Sequence, residues 1–157
     1  MSENILNTLS EIKAGRMSEW EAILFLRDLR REVLRNGFSR EVTHYVAVAL
    51  ADVIVCPQTV GRKACNAALR TFGSAVKHSA RPYFIGYRIL NREMCLSANQ
   101  SSCEFMLAAF NVFATRTHPA GVNLAINNRS SLLEMQKRYP ELPIGRKRIL
   151  QRWLAAE

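Results

Sequence analysis

The amino-acid sequence predicts an all-α protein, a single compact domain of about six to eight helices that spans residues 1–157. Three observations lead to this prediction. Apolar residues recur at helical spacing in most segments, capping and helix-breaking residues separate those segments, and no long linker or low-complexity stretch occurs. The 157 residues suffice for one sizeable core, and an apolar share of 48% beside a charged share of 22% is ordinary for a globular protein.

The first two predicted helices lie in the first 37 residues. An amphipathic pattern predicts a short helix over residues 3–14. Ser18 and Glu21 form a capping box, in which the serine accepts a backbone N–H bond and the glutamate reaches back. The helix that they open is expected to end near Asn36-Gly37, a pair typical of helix C-termini.

Two longer helices are predicted to follow. Ser39 is expected to cap a helix over residues 40–56. Apolar residues cover most of the circumference of this helix, so we expect it to be the central, most buried element. Pro57 ends it, and Thr59 is expected to cap the next helix, over residues 59–78.

Four further helices are predicted over residues 81–97, 101–115, 131–139 and 144–156. The first is assigned as a helix, although residues 83–87 have a strand-like composition, because no partner strand is evident. Ser101 and Glu104 predict a second capping box. The apolar helix that they open is expected to share the centre of the domain with the helix over 40–56. A turn is predicted over residues 118–121.

The predicted helix over residues 59–78 carries the most informative charge pattern. At 100° per residue, Lys63, Arg70 and Lys77 fall on one narrow arc and form a basic stripe about 21 Å long, opposite an apolar arc. Residues 53–92 hold seven basic residues and no Asp or Glu, in a chain with a net charge of +9. A solvated helix face usually mixes both signs. The imbalance therefore indicates a partner that supplies negative charge, and nucleic-acid phosphate is the commonest one.

A second basic segment, residues 27–35, has a different pattern. Its arginines alternate with acidic residues, and the pairs Asp28–Arg31 and Glu32–Arg35 are expected within the helix. We therefore interpret this segment as a solvated face and as a control for the acid-free stripe.

The tripeptide Gly-Arg-Lys opens two predicted helices, at residues 61–63 and 145–147. Cations are unfavourable at a helix N-terminus, where the helix dipole is already positive. Two interpretations stay open. Free N–H groups and cationic side chains bind an anion such as phosphate together, or the side chains simply point to solvent.

Residues 81–88 interleave arginines with aromatic residues, the composition of surfaces that stack single-stranded bases. In an all-α domain, however, an aromatic cluster usually belongs to the core. We therefore interpret Tyr83, Phe84 and Tyr87 as core residues.

These patterns predict a nucleic-acid-binding regulatory or accessory protein that contacts the phosphates of DNA or RNA, with little sequence preference, through a basic helical face. The candidate contact residues are Arg62, Lys63, Arg70, Lys77, Arg81, Arg88, Arg146, Lys147, Arg148 and Arg152. Two alternatives stay open. In one, the basic face docks an acidic partner protein, as an inhibitor or adaptor would. In the other, the chain is a homo-oligomeric structural protein whose apolar helix 105–113 is partly exposed at a subunit interface.

Other classes of site have little support. The four cysteines and three histidines are too widely spaced for a local zinc site. The sequence contains neither a phosphate-binding glycine loop nor a nucleophile elbow, and residues 49–68 fit a helix-turn-helix poorly. We therefore expect no enzymatic activity, no metal and no cofactor.

The cellular compartment is also an expectation from sequence. The N-terminus has no signal-peptide pattern, and the longest apolar run, over residues 45–56, is too short to cross a bilayer. We therefore expect a cytoplasmic protein, or a nuclear one in a eukaryotic or viral setting, with no membrane contact and with reduced cysteines.

Overall fold

The computed structural model describes residues 2–92, 96 and 98–157, which form helices and connecting segments and contain no strand. The all-α class is therefore confirmed. Ten helices have bounds in these residues: α1 (Ser2–Lys13), α2 (Glu19–Leu34), α3 (Arg40–Ile54), α4 (Pro57–Val60), α5 (Arg62–Lys77), α6 (Pro82–Ile89), α7 (Gln100–Arg116), α8 (Ala120–Asn127), α9 (Arg129–Arg138) and α10 (Ile144–Leu154). The predicted helix over 81–97 includes residues 93–95 and 97, which lie outside the described residues.

The predicted number of helices is slightly too low because α4 and α8 were missed. α4 is a single turn that begins at Pro57, and Gly61 follows it with φ of 99°. The prediction that Thr59 caps α5 is therefore wrong, because Thr59 lies within α4. α8 contains Gly121 and asparagines, which are weak helix formers. It nevertheless forms where it packs on α7, so closely that a Cβ atom on Gly121 would lie 2.5 Å from the Cα of Ala114.

Two of the predicted helix caps are confirmed and a third is wrong. Ser18 and Ser39 each accept a hydrogen bond at 3.2 Å from the backbone N–H three residues later, as predicted. The predicted capping box of Ser101 and Glu104 is wrong. α7 begins earlier, and the side-chain oxygen of Asn99 accepts the N–H three residues later at 2.9 Å.

Helix α5 lies at the centre together with α3 and α7, and it packs against both of them and against α2. Its inner side is built largely from small residues, among them Ala64, Ala68 and Ala75, which allow neighbouring helices to approach closely. Buried apolar side chains from all ten helices join in one continuous cluster. No helix in the described part of the chain is long and apolar enough to span a membrane.

Helices α2 and α5 run parallel to each other. Near their starts, the Glu19 carboxylate accepts the backbone N–H of Ala64 at 3.3 Å. Two turns later, the carbonyl of Leu26 accepts the hydroxyl of Thr71 at 3.1 Å. Both pairs are separated by 45 residues, so the two helices keep one register over several turns.

The helix over residues 105–113 is not available for a subunit interface. Phe105, Phe110 and Phe113 on α7 are at most 1% exposed. α5, α6, α8 and α10 pack around α7 and cover its apolar circumference. The expectation that this helix is partly exposed at a homo-oligomer interface is therefore wrong.

Candidate nucleic-acid interface

The basic stripe of α5 lies on the exposed side of the helix. Lys63, Arg70 and Lys77 are all exposed, whereas Cys65 and Phe72 on the opposite side are fully buried. The helix starts three residues later than predicted, but its orientation about its own axis is as the sequence predicts.

The cleft between α2 and α5 brings cations of both helices together. Its volume is about 170 Å³, and it is lined by Ile23, Leu26, Arg27, Arg30, Lys63, Ala67, Arg70 and Thr71. We call this cavity the basic cleft, because all of its charged lining residues are cations: Arg27, Arg30, Lys63 and Arg70. In the described residues, no carboxylate oxygen lies within 4.0 Å of any of their charged nitrogens.

The α2 arginines are exposed to solvent, as predicted, but Arg27 and Arg30 do not form a face separate from the α5 stripe. Arg27 and Arg30 lie within about one turn of the buried Leu26, on the side of α2 that faces α5. Of the two predicted intrahelical pairs, the one between Asp28 and Arg31 forms, with a nitrogen–oxygen distance of 3.4 Å. The periodicity of α2 alone could not show which helix would lie beside it.

The basic cleft continues into a shallow groove between α5 and α7. Arg30 and Arg70 line the cleft and this groove alike, and Arg116 of α7 adds a further cation. Gly73 makes room for it, since a Cβ atom there would lie 3.3 Å from a guanidinium nitrogen of Arg116. Arg116 is not among the residues predicted from sequence, because it is isolated in the chain and joins the basic surface only through the contact of α7 with α5.

The N-terminus of α5 is already occupied by an anion of the chain itself. The carboxylate of Glu19 accepts the N–H of Ala64 at 3.3 Å and lies directly against Gly61. A negative charge is favourable there because of the helix dipole. Of the two interpretations of this Gly-Arg-Lys segment, an external phosphate at the helix N-terminus is therefore not supported for α5.

Three predicted site residues have acidic partners outside their own segment. Arg62 forms an ion pair with Glu104 at 2.8 Å, and its guanidinium lies 5.0 Å from the centre of the Phe105 ring. The partners of the other two lie on α3. Arg88 makes two hydrogen bonds to Asp52, at 2.8 and 3.1 Å, and Arg81 lies 3.9 Å from Glu41.

The bonds to Asp52 raise the pKa of Arg88 above its usual value, first through the hydrogen bonds and then through charge attraction. None of these three arginines has an acidic residue close to it in the sequence. In the folded protein, each lies against a carboxylate from another helix. These three arginines therefore offer less free positive charge than the basic cleft.

The basic residues of α10 form a separate group. Arg146 donates to the backbone carbonyl of Glu104 at 3.0 Å, and the guanidinium of Arg152 lies 5.0 Å from the centre of the Trp153 ring. Lys147 and Arg148 are exposed. α10 packs against α7, α8 and α9, whereas the basic cleft lies between α2 and α5.

The aromatic residues of α6 do not belong to the core. Tyr83, Phe84 and Tyr87 are 41%, 59% and 47% exposed, so their interpretation as core residues is wrong. The close approach of Gly86 to Phe113 and α8 sets the rotation of α6 and turns the three rings outward.

The cysteines in the described residues are buried or partly buried in the fold. Cys56, Cys65 and Cys103 are free, while Cys95 lies outside the described residues. Burial raises the pKa of the Cys65 thiol to about 12, with smaller contributions from neighbouring charges. No group of three or more potential metal ligands occurs in the part of the chain that the structure describes.

Comparison with known proteins gives no relative from which a function could be transferred. No protein-family model, no characterised protein and no solved structure matches this chain. The basic cleft is therefore the strongest indication of function.

Proposed function

We propose that this protein binds nucleic acid through phosphate contacts in the basic cleft, as a binding protein rather than an enzyme. The observation that carries the proposal is the convergence of Arg27, Arg30, Lys63 and Arg70 from two parallel helices, without a carboxylate within 4.0 Å in the described residues. Four like charges in one cleft repel each other. A polyanion that enters the cleft converts this repulsion into attraction.

The contact residues that we propose differ in part from those expected from sequence. Lys63 and Arg70 remain, Arg27 and Arg30 join them, and Lys77 and Arg116 extend the surface. Arg62, Arg81 and Arg88 contribute less because their charge is matched within the fold. Phosphate contacts read little sequence and are made to DNA and RNA alike.

Binding by this mechanism releases counterions and weakens with salt. Four phosphate contacts give a slope of log K against log salt of about −2.8 for a single strand and about −3.6 for duplex DNA. Between 50 and 200 mM salt the affinity is then expected to fall about 50- to 150-fold.

The test is fluorescence anisotropy with labelled single- and double-stranded DNA and RNA at several salt concentrations. The Lys63→Glu/Arg70→Glu double variant is expected to lose more than about 40-fold in affinity, because two contacts become repulsive. Its helicity and melting temperature should stay nearly unchanged, since both side chains are exposed.

A matched control separates the cleft from general charge. Lys147→Glu/Arg148→Glu changes the net charge by the same amount on the exposed side of α10. It is expected to lower the affinity far less than the cleft variant. Equal losses in both variants would contradict a specific role of the cleft. If no nucleic acid binds even at low salt, the proposal fails, and an acidic protein becomes the partner to search for.

A further inference from the structure

Trp20 on α2 is exposed to an unusual degree. The residue is 62% exposed, more than any other Trp, Tyr or Phe in the described chain. Its ring makes no aromatic or cation–π contact within the described residues. Tryptophan is usually highly buried, and the other tryptophan, Trp153, is only 4% exposed.

Trp20 also lies in line with the basic cleft. Trp20 comes seven positions before Arg27, which places the two on the same side of α2, about 10 Å apart along the helix axis. Ile23 lies between them and lines the cleft. The preceding residue, Glu19, contacts the first turn of α5. Helix geometry therefore places Trp20 on the cleft side of α2, at the end of the cleft nearer the start of α5.

We propose that the cleft takes a single unpaired nucleic-acid strand, DNA or RNA, with one base stacked on the indole of Trp20. This inference rests on the proposed function and names its substrate class. Bases within a duplex already stack on each other and present only their edges, whereas an unpaired base offers a free face. An exposed aromatic ring beside a cationic groove is the combination that binds single strands with little sequence preference. The four cations of the cleft supply the complementary charge for the phosphates that flank the stacked base.

The fluorescence of the protein reports this contact directly. The chain has two tryptophans, and Trp153 is buried against Phe110 and donates its N–H to Asn111 at 3.0 Å. A change of tryptophan emission on binding therefore reports Trp20. Oligothymidylate, oligouridylate and a mixed-sequence DNA duplex are titrated into the wild type and into Trp20→Phe, which retains only the buried tryptophan.

The single strands are expected to quench the wild type and to leave the emission of Trp20→Phe unchanged. Trp20→Ala should lower single-strand affinity about tenfold, in the range of one lost base stack, and leave duplex affinity within about twofold. Trp20→Phe should keep most of the affinity because a phenyl ring still stacks. Phe84→Ala, which removes another highly exposed ring, is the matched control and should change neither affinity.

The outcomes separate this inference from the proposed function. If single strands bind with steep salt dependence but neither quench Trp20 nor respond to Trp20→Ala, the stacking inference is overturned and phosphate binding stands. Tighter binding of the duplex than of single strands also overturns it. If none of the three ligands binds at low salt, the proposed function itself fails.

Discussion

The basic cleft and the face formed by α3 and α6 are built from similar residues but balance their charges differently. Both contain exposed arginines. On the α3/α6 face, Arg81 and Arg88 lie against Glu41 and Asp52 of α3. In the cleft, every charged residue that α2 and α5 contribute to the lining is a cation. The comparison shows that a stretch of sequence without acidic residues can still be neutralised, because the carboxylates arrive from another helix.

The largest expected effect is on stability, and it compares the packing of α6 with the packing of α5. Gly86→Ala should lower the free energy of unfolding by about 1–3 kcal/mol, because the added Cβ would lie 2.6 Å from the Cζ of Phe113 in the core. Gly73→Ala, beside the cleft, should stay within about 1 kcal/mol of the wild type. Its Cβ would lie 3.3 Å from the end of the flexible Arg116 side chain and 3.3 Å from a methyl carbon of Val112, distances that small side-chain shifts relieve, and alanine favours the helix.

Urea denaturation followed by circular dichroism measures both variants. The two glycines are buried within helices, so each is the control for the other. Equal losses of stability would contradict the conclusion that the packing of α6 requires a glycine at residue 86, whereas the packing of α5 tolerates a methyl group at residue 73.

A second pair of variants compares a cation of the cleft with a paired one. Arg70→Ala should lower nucleic-acid affinity about five- to eightfold at 0.1 M salt and reduce the salt slope by about 0.7–0.9, as expected for one phosphate contact. Arg88→Ala should leave the affinity within about twofold. It should lower the free energy of unfolding by up to about 1 kcal/mol, since it removes the partner of Asp52. Anisotropy titrations and urea melts of both variants provide the measurements, and the reverse pattern would refute the distinction between the two regions.

Removing the acidic partners should make the α3/α6 face resemble the cleft. Glu41→Gln/Asp52→Asn releases Arg81 and Arg88 from their ion pairs and raises the net charge by two. We expect nonspecific affinity for nucleic acid to rise about two- to fourfold at low salt, since long-range attraction increases. Anisotropy at 50 mM salt measures the gain, and an unchanged affinity would show that this face lies beyond the reach of the bound strand.

The smallest expected effect concerns the acid at the end of the cleft. Glu19→Gln keeps the size of the side chain but removes the negative charge from the N-terminus of α5, which should cost about 0.3–1 kcal/mol of stability. The same change should raise nucleic-acid affinity about twofold because one nearby repulsion is lost. Glu21→Gln, an exposed residue on the same helix, is the control in the melts and titrations. A rise in stability would contradict the role assigned to the carboxylate of Glu19.

The class of the fold and many local features of the long helices follow from the amino-acid sequence alone. The periodicity of residues 62–77 predicted which side of α5 is exposed, and the caps Ser18 and Ser39 were predicted because they act within one turn of chain. α4 and α8 escaped prediction because weak helix formers there are held by contacts with other helices.

Which charges lie close together depends on how the helices pack. The parallel alignment of α2 with α5 places Arg27 and Arg30 beside Lys63 and Arg70, and no pattern within either helix predicts that register. The same assembly brings Glu104 to Arg62, across 42 residues of sequence. Hydrophobic periodicity depends on neighbours along the chain, and the sequence shows it directly. Electrostatic potential depends on every charge within about 10 Å, and therefore on how the helices pack.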